Sequence, residues 1–443
     1  MSGRLAWRGG TPSDLSITSV RVVDPRSGLD GTFDVTVATG VITELRPSGE
    51  STTSSDAIDG SGMILMPAFT DPHVHFRTPG QEHKETISTG TASAAAGGYC
   101  QVIAMPNTSP VIDSPEILSG ILARAAEEAV IPMGQMGAVT KGLGGLELTE
   151  MATMRQIGAV GFTDDGMPIV DAGVLRRAVR YQELSEATIA LHEEDPALSL
   201  RASLNEGATS ARLGLAGGSG LSESTMITRD CAIAEAEGAR IHVQHLSDAR
   251  SVQAVREAKA RGVLVTAEAS PHHLLLTEEA CATLDTRTKM NPPLRFEHDR
   301  QALIDGLNDG TIDCVATDHA PHSDGEKEQP FEDAPFGVTG LETSFVSIYD
   351  ELVAKGIVPL SVLVERMTSG CDPFGLPIPT IAEGQKANLV LFNTNSPWTC
   401  GEGGWASRSS NNAFVGRRFS GRVVLTLADG VEVYRHIGLG GSR

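Results

Sequence analysis

The feature that most constrains this chain is a repeated alternation, through its middle, of short apolar runs and longer helix-like stretches. Eight runs end in polar or glycine residues, at Asp71-Pro72-His73, Met105-Pro106-Asn107, Gln135-Met136-Gly137, Phe162-Thr163-Asp164, Leu191-His192, Val243-Gln244-His245, Ala267-Glu268-Ala269 and Ala316-Thr317-Asp318. Between them lie amphipathic or alanine-rich segments such as 84–96, 116–129, 173–187, 222–237 and 249–261. Eight strand–helix units predict an α/β fold of the (β/α)8 TIM-barrel kind, in which the polar strand ends gather at one mouth. A doubly wound sheet also alternates in this way, but the GxGxxG loop it usually carries is absent from the first unit.

The two ends of the chain have a different rhythm. Ser16–Val23, Phe33–Val37 and Val41-Ile42 read as strands before residue 67, and Ala387–Phe392, Gly421–Leu427 and Val431–Tyr434 repeat the style after residue 380. Asp429-Gly430 supplies a hairpin turn. Segments 1–67 and 379–443 are therefore expected to meet as a small β-sandwich domain beside a catalytic domain at 68–378. The 443 residues, 40% of them hydrophobic, suffice for a large core and a smaller one.

A net charge of -21 excludes nonspecific binding to nucleic acid or to an anionic membrane, while leaving room for a small anionic substrate in a locally positive pocket. Six cysteines without a CxxC pair suit reduced thiols better than a disulfide framework. The start of the chain, through Asp14, has no continuous apolar segment of the signal-peptide kind, and no long apolar run occurs elsewhere. A cytoplasmic enzyme is the resulting expectation.

His73-Val74-His75 follows the apolar strand Met63–Met66. Residues i and i+2 of an extended segment point to one side, so both imidazoles can reach one ion. Asp165, His192, His245 and Asp318 stand at the ends of later units and would join them at a barrel mouth. A neutral imidazole and carboxylate set suits zinc, and a carboxylate between two ions offsets their repulsion. His242, three residues before His245, faces away from it and reads as a supporting histidine. His272 and His273 read as loop or pocket residues, and Asp164 as a group that orients Asp165 or caps the next segment.

Longer motifs narrow this picture. Asp71-Pro72-His73-Val74-His75-Phe76-Arg77-Thr78-Pro79-Gly80, Ala104-Met105-Pro106-Asn107-Thr108-Ser109-Pro110, Phe162-Thr163-Asp164-Asp165-Gly166, Ser270-Pro271-His272-His273-Leu274, Lys289-Met290-Asn291-Pro292-Pro293-Leu294-Arg295 and Ala316-Thr317-Asp318-His319-Ala320-Pro321-His322 together resemble the dihydroorotases of the amidohydrolase superfamily. The likeness extends over nearly the whole chain. It implies that His73, His75 and Asp318 hold one metal ion, that His192 and His245 hold a second, and that Asp165 is available to both. The ions implied by the resemblance are Zn2+, two per subunit. Asp165 stands where many relatives use a carboxylated lysine, which argues against a hydantoinase-like or allantoinase-like enzyme.

The resemblance further implies reversible hydrolysis of dihydroorotate to carbamoyl-aspartate in pyrimidine synthesis. Arg77, Asn107 and His322 would receive the substrate carboxylate, Asn291 the ring edge, and Asp318 would act as general base and then acid. A homodimer and an association with aspartate transcarbamoylase are also implied, and loss of the metal ligands would mark a noncatalytic partner of that enzyme. Two positions depart from the family pattern: Thr78 replaces a common Glu beside Arg77, and Asn412-Ala413-Phe414 replaces Thr-Pro-Phe. The first would alter how Arg77 is held and the second how the domains pack.

Overall fold

The computed structural model describes residues 4–49, 57–200 and 202–439. The outermost residues of the 1–67 and 379–443 segments lie outside these limits, as do the first three residues of the stretch inspected for an export signal.

The apolar runs of the middle are strands at Phe69–Val74, Tyr99–Ala104, Met133–Gln135, Phe162–Thr163, Ile189–Leu191, Ile241–Val243, Val265–Ala269 and Cys314–Val315. Each pairs in parallel with its neighbour within two arcs, one of the first three strands and one of the last five. Parallel bridges Gly137–Phe162 and Val74–His319 span the two gaps between the arcs. All six residues of the first strand and all six of the second are buried, as parallel strands covered on both faces require.

Helices provide that cover, and their starts are written locally. Ser114 caps Pro115–Glu128 by accepting from the Ile117 amide, with proline in the first turn and Glu116 favourably placed near the positive end. Asp171 caps Ala172–Arg180, whose Val174, Leu175, Ala178 and Val179 form the buried stripe. Asp248 caps Ala249–Ala260. Leu221–Glu237 ends at Gly238, whose φ of 62° is the left-handed conformation that closes a helix without steric cost only at glycine.

A smaller sheet flanks this α/β unit. Its hydrogen-bonded order places Val431–Arg435, Arg422–Ala428 and Leu389–Asn393 from the C-terminal part next to Met63–Pro67, Leu15–Asp24, Leu29–Ala38 and Val41–Pro47 from the N-terminal part. Ile17, Val22, Leu65, Leu389 and Leu425 are among its core residues.

The strand Met63–Pro67, which lies in the 1–67 segment and just ahead of the histidine pair, pairs in the flanking sheet with Leu389–Asn393, and the separate strand Phe69–Val74 leads to the histidines. Hydrogen bonding changes partner within two residues: the Ala68 amide donates to Asn388, whereas the Phe69 amide donates to Gly98 at the start of the second inner strand. The uninterrupted apolar sequence across Pro67 conceals this change of sheet, because both strands are buried.

All six cysteines are free and buried. Among the described residues, no helix is long and apolar enough to cross a membrane.

Candidate active site

The C-terminal ends of the inner strands bring the dispersed polar residues together. His73 Nε2 lies 3.2 Å from Asp165 Oδ1, and His75 Nε2 lies 3.0 Å from Asp318 Oδ1 and 3.6 Å from Asp165 Oδ2. From the fifth and sixth strands, His192 Nδ1 and His245 Nε2 approach each other to 3.0 Å and stand 3.9 and 3.8 Å from Asp165 Oδ1. Two groups result, His73–His75–Asp165 and Asp165–His192–His245, each with ligand atoms within 4.8 Å of one another. Asp165 belongs to both.

The donor set fits divalent metal. His73 Nε2 is buried and has no hydrogen-bond partner, despite its short distance to Asp165. Such a nitrogen is costly unless it coordinates. Burial opposes the charge of Asp165, but His73 and His245 outweigh it and hold the carboxyl well below the ordinary range. Asp318 is likewise held down, against burial, by His75 and the neighbouring imidazoles. Both groups are carboxylates, and four imidazoles with two carboxylates form a nitrogen and oxygen shell suited to a divalent metal.

The outer nitrogens of three histidines are each paired with an acceptor, which selects the tautomer. Glu268 accepts from His73 Nδ1 at 2.6 Å. Asn107 Oδ1 is 3.0 Å from His75 Nδ1, while Asn107 Nδ2 donates to Asp165 Oδ2 at 3.1 Å. Because the amide nitrogen is spent on Asp165, Asn107 must accept from His75, leaving His75 Nε2 with a free lone pair. Glu194, 3.3 Å from His192 Nε2, similarly leaves His192 Nδ1 free to face Asp165.

The two adjacent aspartates separate cleanly. Asp164 accepts from the amides of Val139 and Thr140 at 2.8 and 2.9 Å and from the Thr140 hydroxyl, so it anchors that loop rather than the metal groups. Burial pushes its pKa up to about 6. Asp71 ties the first strand to the eighth by accepting from the His73 amide and the Thr317 amide and hydroxyl.

A cavity of about 180 Å³ opens above the metal groups, and Arg77, Asn107 and Asn291 share its wall with Asp318. Arg77 is held through Nε to the Pro321 carbonyl. Asn291 donates to Glu194 at 2.7 Å. His322 stands beside Arg77: its Nε2 is 3.3 Å from Arg77 Nη2 and 2.8 Å from the Phe336 carbonyl, and its own amide donates to Asn411. Burial, then Arg77 and Lys327, bring His322 down to about 3, so it is neutral. Thr78 is buried with an unpartnered hydroxyl and makes no hydrogen bond to Arg77. Asn412 stitches the C-terminal segment to this region through the Thr339 carbonyl and the Thr343 hydroxyl.

Three residues of the site, Arg77, His245 and Asp318, have φ of 55°, 30° and 47°. Left-handed backbone at non-glycine residues costs roughly 1–2 kcal/mol each, and its concentration here marks a constrained constellation. Gly337, on the cavity wall, has φ of 117°, and a Cβ there would meet that of Ala320 at 2.6 Å.

Sequence reasoning left Glu268, Glu194 and two lysines without roles. A charged residue inside the apolar run Ala267-Glu268-Ala269 was the available signal for the first. Lys327 donates to the carbonyls of Thr286 and Pro335 at 3.0 and 2.8 Å, and Lys289 donates to those of Phe331 and Glu332 while facing the Phe336 ring at 4.6 Å. These staples hold the segment that lines the cavity.

Burial first, then Lys289, lower Lys327 from the ordinary 10.5 to about 7, with Asp285 and Glu326 opposing and Arg77 reinforcing the shift. Folding therefore expels a proton between about pH 7 and 10.5. The contribution of this lysine to stability rises with pH through that window and is least favourable below it. Urea unfolding of Lys327→Met is expected to lose that slope, so that the stability difference moves in favour of the wild type from pH 7 to 10. A difference that stays constant with pH would refute this.

Comparison with known proteins gives a consistent pattern. The Dihydro-orotase-like family matches residues 62–251 and the Amidohydrolase family matches residues 223–433. A dihydroorotase of Geobacter sp. (strain M21) is 42% identical over 95% of this chain and 99% of its own length, and one of Clostridioides difficile is 40% identical over 95% and 99%. Among solved structures, the L-hydantoinase (dihydropyrimidinase) of Arthrobacter aurescens superposes with a TM-score of 0.84 at 24% identity, covering 96% of this chain and 97% of that one. The D-hydantoinase of Thermus sp. gives 0.80 at 25% identity, with 97% of each chain covered. The hydantoinase likeness is one of fold.

Proposed function

This chain belongs to the dihydroorotase family of the amidohydrolase superfamily, and from that membership we propose that it catalyses the reversible hydrolysis of dihydroorotate to carbamoyl-aspartate, the ring-closing direction serving pyrimidine synthesis. The observation that carries the reading is the sharing of Asp165 by two histidine groups directly beneath a cavity walled by Arg77. The inner strands are read as a closed (β/α)8 barrel, on the strength of the two parallel bridges between the arcs.

His73, His75 and Asp318 would hold one Zn2+ and His192 and His245 the other, with Asp165 between them. Bound zinc would make water a stronger nucleophile at neutral pH and polarise the ring carbonyl. The remaining work falls to the chain. Arg77 offers its guanidinium to the substrate carboxylate, as a fork that can bond both oxygens. Asn291, steadied by Glu194, presents its amide to the ring edge. Asn107, which lines the cavity and orients His75 and Asp165, and neutral His322, 3.3 Å from Arg77 Nη2, join Arg77 in receiving the substrate carboxylate. Asp318 takes the proton from the attacking water and returns it to the departing ring nitrogen, so the C–N bond breaks with a neutral leaving group. In ring closure the same carboxyl moves the proton the opposite way.

Turnover of dihydroorotate, carbamoyl-aspartate and hydantoin by protein of known metal content tests the assignment. Faster turnover of hydantoin than of dihydroorotate would overturn it. Arg77→Met is expected to raise KM for dihydroorotate on the order of 10²-fold with a smaller change in kcat, since it removes a buried charge pair. An unchanged KM would remove Arg77 from that role. Association with aspartate transcarbamoylase, and a homodimeric state, are tested by coelution and by sedimentation.

A further inference from the structure

We propose that Glu268 is the positioning residue that aligns both halves of the metal centre, with His242 fixing it in turn; this rests on the two-metal reading above. Glu268 is wholly buried on the seventh inner strand. Its Oε1 accepts from His73 Nδ1 at 2.6 Å and from the backbone amide of His245 at 3.1 Å. One oxygen therefore touches the imidazole of a residue from the first group and the main chain of a residue from the second. The backbone contact matters because His245 is held at φ of 30°, where a relaxation of the peptide would swing its ring away from Asp165.

The other oxygen of Glu268 is 2.9 Å from His242 Nε2, and His242 Nδ1 is 2.8 Å from the Thr266 hydroxyl. His242 also meets the Phe374 ring edge-on at 5.3 Å, which fixes its plane. A carboxylate with both oxygens engaged cannot rotate, so His73 stays in the tautomer that leaves Nε2 free. Outer partners of this kind set ligand orientation and basicity in metal sites.

His242, Glu268 and Cys314 are also spaced closely enough to hold an ion of their own. Three observations argue against that use. Both nitrogens of His242 have partners, both oxygens of Glu268 are engaged, and burial beside Glu268 pushes the Cys314 thiol well up, whereas a thiol ligand must lose its proton.

The test is a competition titration of metal-free protein with Zn2+ against a chromophoric chelator, with circular dichroism and the Tm of the metal-free form measured alongside. The wild type is expected to bind two ions, and Glu268→Gln to bind both roughly 10–100-fold more weakly while keeping its helical signal. Imidazole ¹⁵N spectra of the Zn2+-loaded protein are expected to show the His73 Nδ1–H signal displaced in Glu268→Gln, where a neutral amide replaces its carboxylate acceptor, a change that loss of packing alone does not produce. His242→Asn, which keeps the carboxylate, is expected to weaken both ions severalfold and keeps the proposal testable if Glu268→Gln does not fold. Wild-type affinity in a folded variant, or a loss confined to one ion, overturns the proposal. A third ion in the wild type that is lost in Cys314→Ala overturns it as well. Failure of the two-metal reading is distinct, because it would show as absent binding by the wild type before any variant is compared.

Discussion

Asp318→Asn is expected to keep most of its bound metal and to lose turnover in both directions by roughly 10²–10⁴-fold, the range that a positioned acid–base group contributes. The replacement is nearly isosteric. Its amide can still accept through oxygen, and His73, His75, His192, His245 and Asp165 remain to hold the ions. What disappears is a group able to take a proton and give it back. Asp318 stands 3.0 Å from His75 Nε2 and shares the cavity wall with Arg77, so the substitution alters charge at the reacting position with little change of shape. Turnover of dihydroorotate and carbamoyl-aspartate is measured on protein whose zinc has been quantified. Normal rates with full metal would end the acid–base assignment. Equal loss of metal and of turnover would reassign Asp318 to coordination alone.

Asp165→Ala is expected to abolish the paired metal centre, with bound metal falling from two ions to one or none and turnover falling by more than about 10²-fold, since loss of even an outer partner costs 10–100-fold. Asp165 is the carboxylate common to both histidine groups, with His73, His245 and His192 at 3.2, 3.8 and 3.9 Å from one of its oxygens and His75 at 3.6 Å from the other. Without it two dications would face each other across imidazoles that carry no compensating charge. Asp164→Ala provides the contrast. It frees the amides of Val139 and Thr140 and is expected to lower stability while leaving both metal groups intact. Metal analysis of the two variants distinguishes the neighbours, and retention of both ions by Asp165→Ala would refute the shared-ligand assignment.

Much of the site was legible because its chemistry is carried by residue type at strand ends. His73 and His75 sit two apart, and Asp165, His192, His245 and Asp318 each follow an apolar run, so parallel strands necessarily bring them to the same end of the sheet. The motif likeness preferred Asp165 to Asp164, and the hydrogen bonds of Asp164 to Val139 and Thr140 explain why: one carboxylate is spent on the loop, the other is not. Less legible was the division of labour among the amides and supporting groups. Asn107 reads in sequence as a substrate contact, and the fold adds to its place on the cavity wall an amide that joins His75 to Asp165. His322 reads as a partner of the substrate carboxylate, and what the fold adds is its setting, with Nε2 2.8 Å from the Phe336 carbonyl and 3.3 Å from Arg77 Nη2.

The chain's own order of residues determined the strand–helix rhythm, the two strand-rich ends and the set of metal-capable side chains, because periodicity, capping and residue chemistry are local properties. Only the tertiary structure decided which strand of the flanking sheet Met63–Pro67 pairs with, which nitrogen of each histidine is free, and that Glu268 reaches His73 from 195 positions away. Those choices depend on hydrogen bonds between strands distant in sequence, and a buried polar atom takes the partner that the fold places within reach. The histidine pair near the start of the first inner unit was visible at once. That its two imidazoles face a shared aspartate, each braced from behind by a different residue, is a property of the folded chain.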